Sequence, residues 1–362
     1  MRILHVAPFY EPAWAYGGMA RSSAALCRAL ARRGHEVTVT TALLDPSHAR
    51  EESRDGVRVV RFPGPDFLKA RLVPWAPGLR TFLAREMGSF DLGHLHGHRS
   101  GLAFTAARAL RASRRPFVLM PHGTYPAHGQ YPRTKAVFDR LLGDRIVQGA
   151  AALLAVSDRE AQDLPRPARV IPNGVEPCGR AEPGPPGPRR RLLFVGTDRP
   201  QKRGSLLPAL LSALPSVDLH LAGQFEAGFR RTFGAAADRV TACGVLAGEA
   251  LAAQYASADV VVHPAVGEAF GLVPFEAALA GTAAVVAGDH GCGEWFARAG
   301  GCVVPPDDAG ALIAAVRVRL EEPERARAEA RAVADFARRH LTWDAAAAAV
   351  ESVYAEVLGA RA

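Results

Sequence analysis

Two glutamates eight residues apart, Glu268 and Glu276, lie in the segment VVHPAVGEAFGLVPFEAALAGTAAVVA, residues 261–287. An apolar run enters a glycine-bearing loop that carries Glu268, and a helix is expected to open near Leu272. Pro274 is tolerated there because first-turn amides have no partner inside the helix. Those amides, with the positive end of the helix dipole, suit the anionic or hydroxyl oxygens of a ligand. A carboxylate in the first helical turns, Glu276, can accept two hydrogen bonds from a vicinal diol such as a ribose. The chemistry indicated is the grip on a phosphorylated, polyhydroxylated molecule. An isolated E-x7-E is weak, since Glu276 is equally an ordinary solvated carboxylate at a helix start; its flanks give it weight.

Elements of a particular kind must position such residues. Short apolar or β-branched runs alternate with helical patterns: 2–7, then 20–33 closed by Gly34, then 36–41, and onward through 117–120 and 151–155. This is the rhythm of βαβ units on a parallel sheet. The stretch PCGRAEPGPPGPRR, residues 177–190, offers little to hydrogen-bond or bury and reads as a linker. Alternation then restarts with strands expected at 191–195, 218–222, 258–263 and 283–287. The expected division is an N-terminal Rossmann-like domain over 1–176, the linker 177–190, a C-terminal Rossmann-like domain over 191–340, and a final helix over 341–362. In that helix Thr342 serves as N-cap, and Trp343, Val350, Val353 and Leu358 are available for packing. Ligands of open α/β sheets sit beyond the carboxyl ends of the strands, so the expected pocket is a cleft between two doubly wound domains.

The 261–287 segment resembles the E-x7-E signature of family 4 retaining glycosyltransferases of the GT-B fold, through Pro264, Glu268, Phe270, Gly271, Leu272, Glu276, Ala277 and Gly281. Ala265 and Ala269 stand where that family usually has Ser and Gly. The resemblance spans nearly the whole chain. It implies an α/β GT-B architecture, with the last helix crossing back to the N-terminal domain, and transfer of a sugar from a nucleoside diphosphate donor. It also implies roles: Glu276 on the nucleotide ribose, Glu268 on the donor sugar, and the run Phe270, Gly271, Leu272 and Val273 on sugar hydroxyls and phosphate. Glu268 and His122 are the expected catalytic groups.

Further residues follow from the same resemblance. Gly17 and Gly18, before a helix expected near Met19, let main-chain amides approach the leaving group and acceptor closely; a plain βα turn is the alternative. His122, in LMPHGT, corresponds to a histidine near the donor sugar, although a histidine after a strand is commonly a structural hydrogen-bonder. In FVGTDRPQKRG, Lys202 matches a lysine that neutralises the diphosphate. Thr197 occupies the usual arginine position, leaving Arg199 or Arg203 to supply the second cation. Gly244 and Val245 fall where main-chain groups meet the base. Glu294 and Asn173 match family positions of structural kind and are left out of the site.

HLHGH sets His94, His96 and His98 on one face of an extended strand, a spacing that can ligate a metal. The family resembled needs no metal, and the chain has no D-x-D pair, so no metal and no cofactor beyond the donor is expected.

The 362 residues carry 44 basic and 36 acidic side chains, a net charge of +8, with lysine only at 69, 135 and 202. Such a surplus suits nucleotide phosphates or an anionic membrane surface; without aromatic–basic interleaving or a nucleic-acid module, nucleic acid is not an expected partner. In PDFLKARLVPWAPGLRTFLAREM, residues 65–87, apolar and basic residues interleave. Packing on the sheet is the first account of this segment, and interfacial binding toward a lipid-linked acceptor the second. Five scattered cysteines without a C-x-x-C pair argue against a disulfide framework or zinc knuckle, and no run is long and apolar enough to span a membrane. The expected location is cytoplasmic, peripheral on the inner face of the membrane if the acceptor is lipid-linked.

The expected reaction moves a sugar from a UDP- or GDP-sugar to a hydroxyl of a saccharide or glycolipid, in bacterial polysaccharide, lipopolysaccharide or glycolipid assembly. A nucleotide-sugar epimerase, a sugar-phosphate synthase and a non-catalytic nucleotide-sugar binder are the alternatives. AYGGMARSS lacks the G-x-G-x-x-G turn of a nicotinamide oxidoreductase, and three lysines give a pyridoxal phosphate enzyme little scope.

Overall fold

The computed structural model describes residues 1–13, 17–65, 75–126, 131–179 and 189–360. Residues 66–74 of the amphipathic segment and 180–188 of the Pro/Gly-rich stretch lie outside these. The chain divides into two compact units, Met1–Gly174 with Trp343–Ala362, and Val175–Thr342.

The first unit is built on eight strands: β1 (Arg2–Val6), β2 (Glu36–Ala42), β3 (Glu51–Arg54), β4 (Val57–Phe62), β5 (Leu92–His96), β6 (Phe117–Met120), β7 (Ala152–Ala155) and β8 (Ala168–Val170), in the order β3-β4-β2-β1-β5-β6-β7-β8. All pair in parallel except β3 with β4. The inner strands, RILHV and LGHLH among them, are buried along almost their whole length, as helices on both faces of a parallel sheet require. The chain moves outward from β1 to β2 and β4, then returns to β5 on the other side of β1. The order therefore reverses between β1 and β5, where His5 is in register with His94.

The C-terminal helix, Trp343–Gly359, belongs to this unit. It buries Trp343, Ala347, Val350, Val353 and Tyr354 and packs on the first helix, Gly18–Arg32. Ion pairs Arg33–Glu351 at 2.5 Å and Arg32–Asp344 at 3.2 Å flank the seam; both are at least partly exposed and contribute little beside the apolar burial. Gly174 meets Trp343 so closely that an added Cβ would lie 2.4 Å from its main-chain nitrogen.

The second unit carries six parallel strands: β9 (Arg190–Thr197), β10 (Val217–Gln224), β11 (Val240–Gly244), β12 (Val260–His263), β13 (Ala283–Ala287) and β14 (Cys302–Val304), in the order β11-β10-β9-β12-β13-β14. Its order reverses between β9 and β12. Leu192, Phe194, Leu219, Leu221, Val260, Val262 and Val285 form the buried centre, with Leu207, Leu210 and Val316 packed on it from helices.

Strands expected from the sequence are all present, with ends moved by up to two residues. β10, for example, runs Val217–Gln224 rather than 218–222, because β9 continues to Thr197 and pairs with it to the end. Both units are parallel-sheet α/β domains.

Candidate active site

In the second unit the two loops that leave the switch point bring two of the expected site residues together. Lys202 follows β9, Glu268 follows β12, and the Lys202 Nζ is ion-paired with Glu268 Oε1. The loops are also tied through the backbone, where Val266 N–H donates to the Gln201 carbonyl at 2.8 Å. Under the carboxylate lies His263, the last residue of β12. Its Nε2 is 3.5 Å from Glu268 Oε2, too long for a good hydrogen bond, and neither ring nitrogen has a hydrogen-bond partner among the described residues. Burial alone would push the Glu268 carboxyl pKa up. The Lys202 ammonium and the His263 ring reverse this and hold it well below the usual carboxylate range. Glu268 is thus an anion in a mostly enclosed place.

The loop after Glu268 is shaped by Gly271, which has φ +73°. An added Cβ would sit 2.4 Å from Cys292 Sγ and 3.2 Å from Glu268 Oε2, so both the backbone conformation and the space demand glycine. Cys292 N–H donates to the Glu268 carbonyl at 3.1 Å, tying the next helix, Gly291–Arg298, to the same loop.

The helix expected near Leu272 runs Val273–Leu279, with Pro274 in its first turn. Glu276 is only 2% exposed and accepts a hydrogen bond from the Tyr255 hydroxyl at 3.0 Å. It is no solvated surface carboxylate. Phe270 is packed: its ring stacks on Phe275 at 5.6 Å and leans on Trp295, so the side chain belongs to the core and only the main chain remains for a ligand. Gly271, Leu272 and Val273 are part-exposed.

Of the two arginines considered beside Lys202, Arg203 is ion-paired with Asp307, whereas Arg199 is exposed with no ion-pair partner among the described residues. Thr197 ends β9 with its hydroxyl oxygen buried and unpartnered. Gly244 closes β11 in a positive-φ turn, and Val245 beyond it is 54% exposed, a large apolar side chain left in solvent.

In the first unit Gly17 and Gly18 open the helix Gly18–Arg32, and among the described residues no atom lies within 4 Å of where either Cβ would be. His122 stands in a tight turn after β6, in the left-handed region at φ +54°. The turn is fastened from several sides. Gly123 N–H donates to Glu160 Oε1 at 2.5 Å, and Thr124 Oγ1 donates to the Pro121 carbonyl at 2.7 Å. Arg99 holds the Thr124 carbonyl while its guanidinium forks onto Asp139, donating from Nε to Oδ1 at 2.8 Å and from Nη2 to Oδ2 at 2.5 Å.

His94, His96 and His98 do not share one face. The strand ends at His96, Gly97 takes φ +72°, and His98 turns away to Thr124 and Asp139, at 3.0 Å each. His94 and His96 instead join His5 from β1, with ring nitrogens of the three within 4.8 Å of one another. His96 also bonds His122, Nδ1 to Nε2, at 2.9 Å, and His94 Nδ1 meets the Tyr354 hydroxyl at 2.5 Å. Burial pushes all these imidazoles toward the neutral form, His122 down to about 4 and His5 to about 3. The sequence offered no sign of His5, Tyr255 or Cys292 as site neighbours, because each meets its partner through the tertiary fold and not through local spacing; His263, five residues before Glu268 at the end of the strand that leads to it, was within local reach but was not singled out.

Of the amphipathic segment 65–87, the described part favours packing. Leu79 and Leu83 are buried, Phe82 is half-buried on the core beneath the Arg58 guanidinium, and Trp75 is 39% exposed. No helix among the described residues is long and apolar enough to cross a membrane.

Two doubly wound parallel-sheet units, the second with Lys202 paired to Glu268 at its switch point, have the architecture of the GT-B type. Comparison with known proteins agrees. The family Glycosyltransferase Family 4 matches residues 16–177, and Glycosyl transferases group 1 matches residues 189–322. The D-inositol 3-phosphate glycosyltransferase of Arthrobacter sp. is 30% identical over 333 residues, covering 78% of this chain and 76% of that one. The phosphatidyl-myo-inositol mannosyltransferase of Mycolicibacterium smegmatis is 29% identical over 361 residues, covering 95% and 91%. Among solved structures, HepE of Anabaena in complex with UDP and glucose superimposes with a TM-score of 0.76 at 18% identity, covering 98% of this chain and 100% of that one. The chain belongs to the family 4, group 1 glycosyltransferases.

Proposed function

We propose that this glycosyltransferase takes its sugar from a nucleoside diphosphate donor, UDP- or GDP-linked, and passes it with retention of configuration to a hydroxyl of a saccharide or glycolipid acceptor. One observation carries the reading: Lys202 and Glu268 are paired at the switch point of the second sheet, with the buried Glu276 eight residues further on. A cation for the diphosphate, a carboxylate for sugar hydroxyls and a carboxylate for a ribose diol are the three grips that such a donor needs.

In this reading Lys202, with Arg199 at longer reach, neutralises the diphosphate, and the amides of Gly271, Leu272 and Val273 complete its cradle. Phe270 contributes main chain only. Gly244 and Val245 border the base. Glu268 grips the transferred sugar, and Glu276 the ribose, oriented by the Tyr255 hydroxyl. In the first unit, His122 serves the sugar, and Gly17 and Gly18 serve the acceptor. Negative charge grows on the leaving diphosphate as the glycosidic bond breaks. Groups already in place meet it, and such preorganised electrostatics commonly supply most of the rate acceleration. UDP is the first nucleotide to test, because HepE is seen with it. Inositol-bearing acceptors join the panel because the names of both curated relatives carry them, and lipid-linked ones bring the anionic membrane surface with them.

A thermal-shift screen of UDP, GDP, ADP and TDP with their sugars tests the donor, followed by assay of free nucleoside diphosphate over the acceptor panel. A ligand at 100 times its Kd stabilises by about 2.7 kcal/mol, a shift of several degrees. No shift with any donor defeats the reading. A shift without turnover on every acceptor makes the chain a binder.

A further inference from the structure

His5, His96 and His122 form a hydrogen-bonded file that runs from the interior of the first unit to the carboxyl rim of its sheet. His5 Nδ1 lies 2.9 Å from His96 Nε2, and His96 Nδ1 lies 2.9 Å from His122 Nε2. The rings are close to parallel, at 21° and 23°, with centroids 5.2 Å apart in both pairs. His5 and His96 are completely buried, and His122 is part-exposed. At the inner end His5 Nε2 is buried without a partner. At the outer end His122 Nδ1 has no hydrogen-bond partner among the described residues. The file therefore has one blind end and one open end.

We propose that His5 and His96 are positioning residues that fix the tautomer of His122, the three imidazoles being ordered as one unit so that His122 presents an Nδ1–H donor outward. A neutral imidazole has one N–H and one lone pair, so two hydrogen bonds in series force all three N–H groups to point the same way. Burial keeps each ring neutral near pH 7, which removes the imidazolium arrangement that would break the series. Two orders remain. With N–H on every Nε2, the file buries an unpaired N–H at His5; with N–H on every Nδ1, it buries only a lone pair. A buried donor without an acceptor is the rarer and costlier defect, so the Nδ1–H order prevails. The left-handed backbone at His122, fastened through Gly123 to Glu160, holds the ring at the end of the file.

An outward N–H seeks an acceptor oxygen. That this oxygen belongs to the transferred sugar rests on the function proposed above; the tautomer order does not. Long-range 1H–15N NMR on the ligand-free enzyme reads the order directly, with ring signals assigned by their loss in His5→Phe, His96→Phe and His122→Phe. The expected pattern is protonated Nδ1 and unprotonated Nε2 on all three rings across pH 6 to 8. An Nε2–H tautomer or an imidazolium on any of them overturns the proposal. His96→Phe keeps a stacked ring and removes both links, so His122 should lose its single tautomer and kcat should fall on the order of 10²-fold with donor KM within about twofold. Intact order in the wild type with unchanged kcat in His96→Phe refutes the positioning role, while nucleotide-induced thermal shifts still judge the transferase reading. If that variant does not fold, the wild-type spectrum decides alone.

Discussion

Lys202 and Glu268 are paired across the switch point of the second sheet, 66 residues apart in sequence and one loop apart in space. The pair neutralises two charges that would otherwise stand enclosed and unsatisfied, and it fixes the loop after β9 against the loop after β12. It also defines what an anionic ligand must do on arrival. On the function proposed above, a diphosphate engaging Lys202 would take the cation from Glu268 and leave that carboxylate to sugar hydroxyls, so that donor binding would itself make Glu268 available.

Lys202→Ala removes one charge-assisted contact to phosphate, worth about 1.5–3 kcal/mol, which converts to roughly 10- to 150-fold weaker nucleoside diphosphate binding. Isothermal titration with UDP and GDP measures this. Arg199→Ala should cost less, because its side chain stands out in solvent. Equal and undiminished affinity in both variants would remove these cations from the donor site.

Glu276→Ala should erase the nucleotide-induced thermal shift, since the ribose loses its carboxylate. Tyr255→Phe separates orientation from contact. It deletes only the hydroxyl that donates to Glu276 at 3.0 Å, and a hydrogen bond to a charged group is worth about 1.5–3 kcal/mol. The variant should bind nucleotide more weakly than wild type yet more tightly than Glu276→Ala, and should itself melt lower. An unaltered response in Glu276→Ala ends the ribose assignment.

Gly271→Ala should destabilise the protein by about 2–4 kcal/mol, combining an unfavourable left-handed backbone with a clash against Cys292. Cys292→Ala in the same chain removes the sulfur contact at 2.4 Å but keeps the Cβ contact at 2.9 Å and the backbone cost, so it relieves part of the clash and the double variant should be more stable than the two single losses added together. Urea melts of the four proteins give the coupling energy. Simple additivity would mean that Cys292 does not limit this loop.

These residues divide by how their surroundings are encoded. Glu268, Gly271 and Glu276 are legible because strand, loop and helix follow one another within one segment, and Lys202 because its turn follows a strand in the same manner. What the side chains meet is not local. His5 and His96 are 91 residues apart, His94 and Tyr354 260 apart, and only the strand order and the return of the last helix bring them together. A regular strand through His98 fails for a local reason, the positive φ at Gly97, and the three-histidine face is remade with His5 in place of His98. Phe270 reads as part of a binding motif, yet its ring packs on Phe275 and Trp295; the motif leaves its main chain to a ligand and fills the core with the side chain.

The buried histidines also set how the fold responds to acid. His122 is held down to about 4 and His5 to about 3, both by burial, against 6.5 when exposed in the unfolded chain. Between about pH 6.5 and pH 4 the unfolded chain therefore binds protons that the native state refuses. The associated stability is fully present above pH 6.5 and is lost as pH falls, by about 1.4 kcal/mol per pH unit for each such histidine, or about 2 kcal/mol each at pH 5. Urea unfolding of the wild type should show the midpoint falling from pH 7 to pH 5. In His5→Phe one titrating group is gone, so the pH 7 to pH 5 difference should shrink by about 2 kcal/mol, whatever the variant costs at pH 7. An unchanged difference would mean that His5 is protonated in the native state, which the hydrogen-bonded file does not permit.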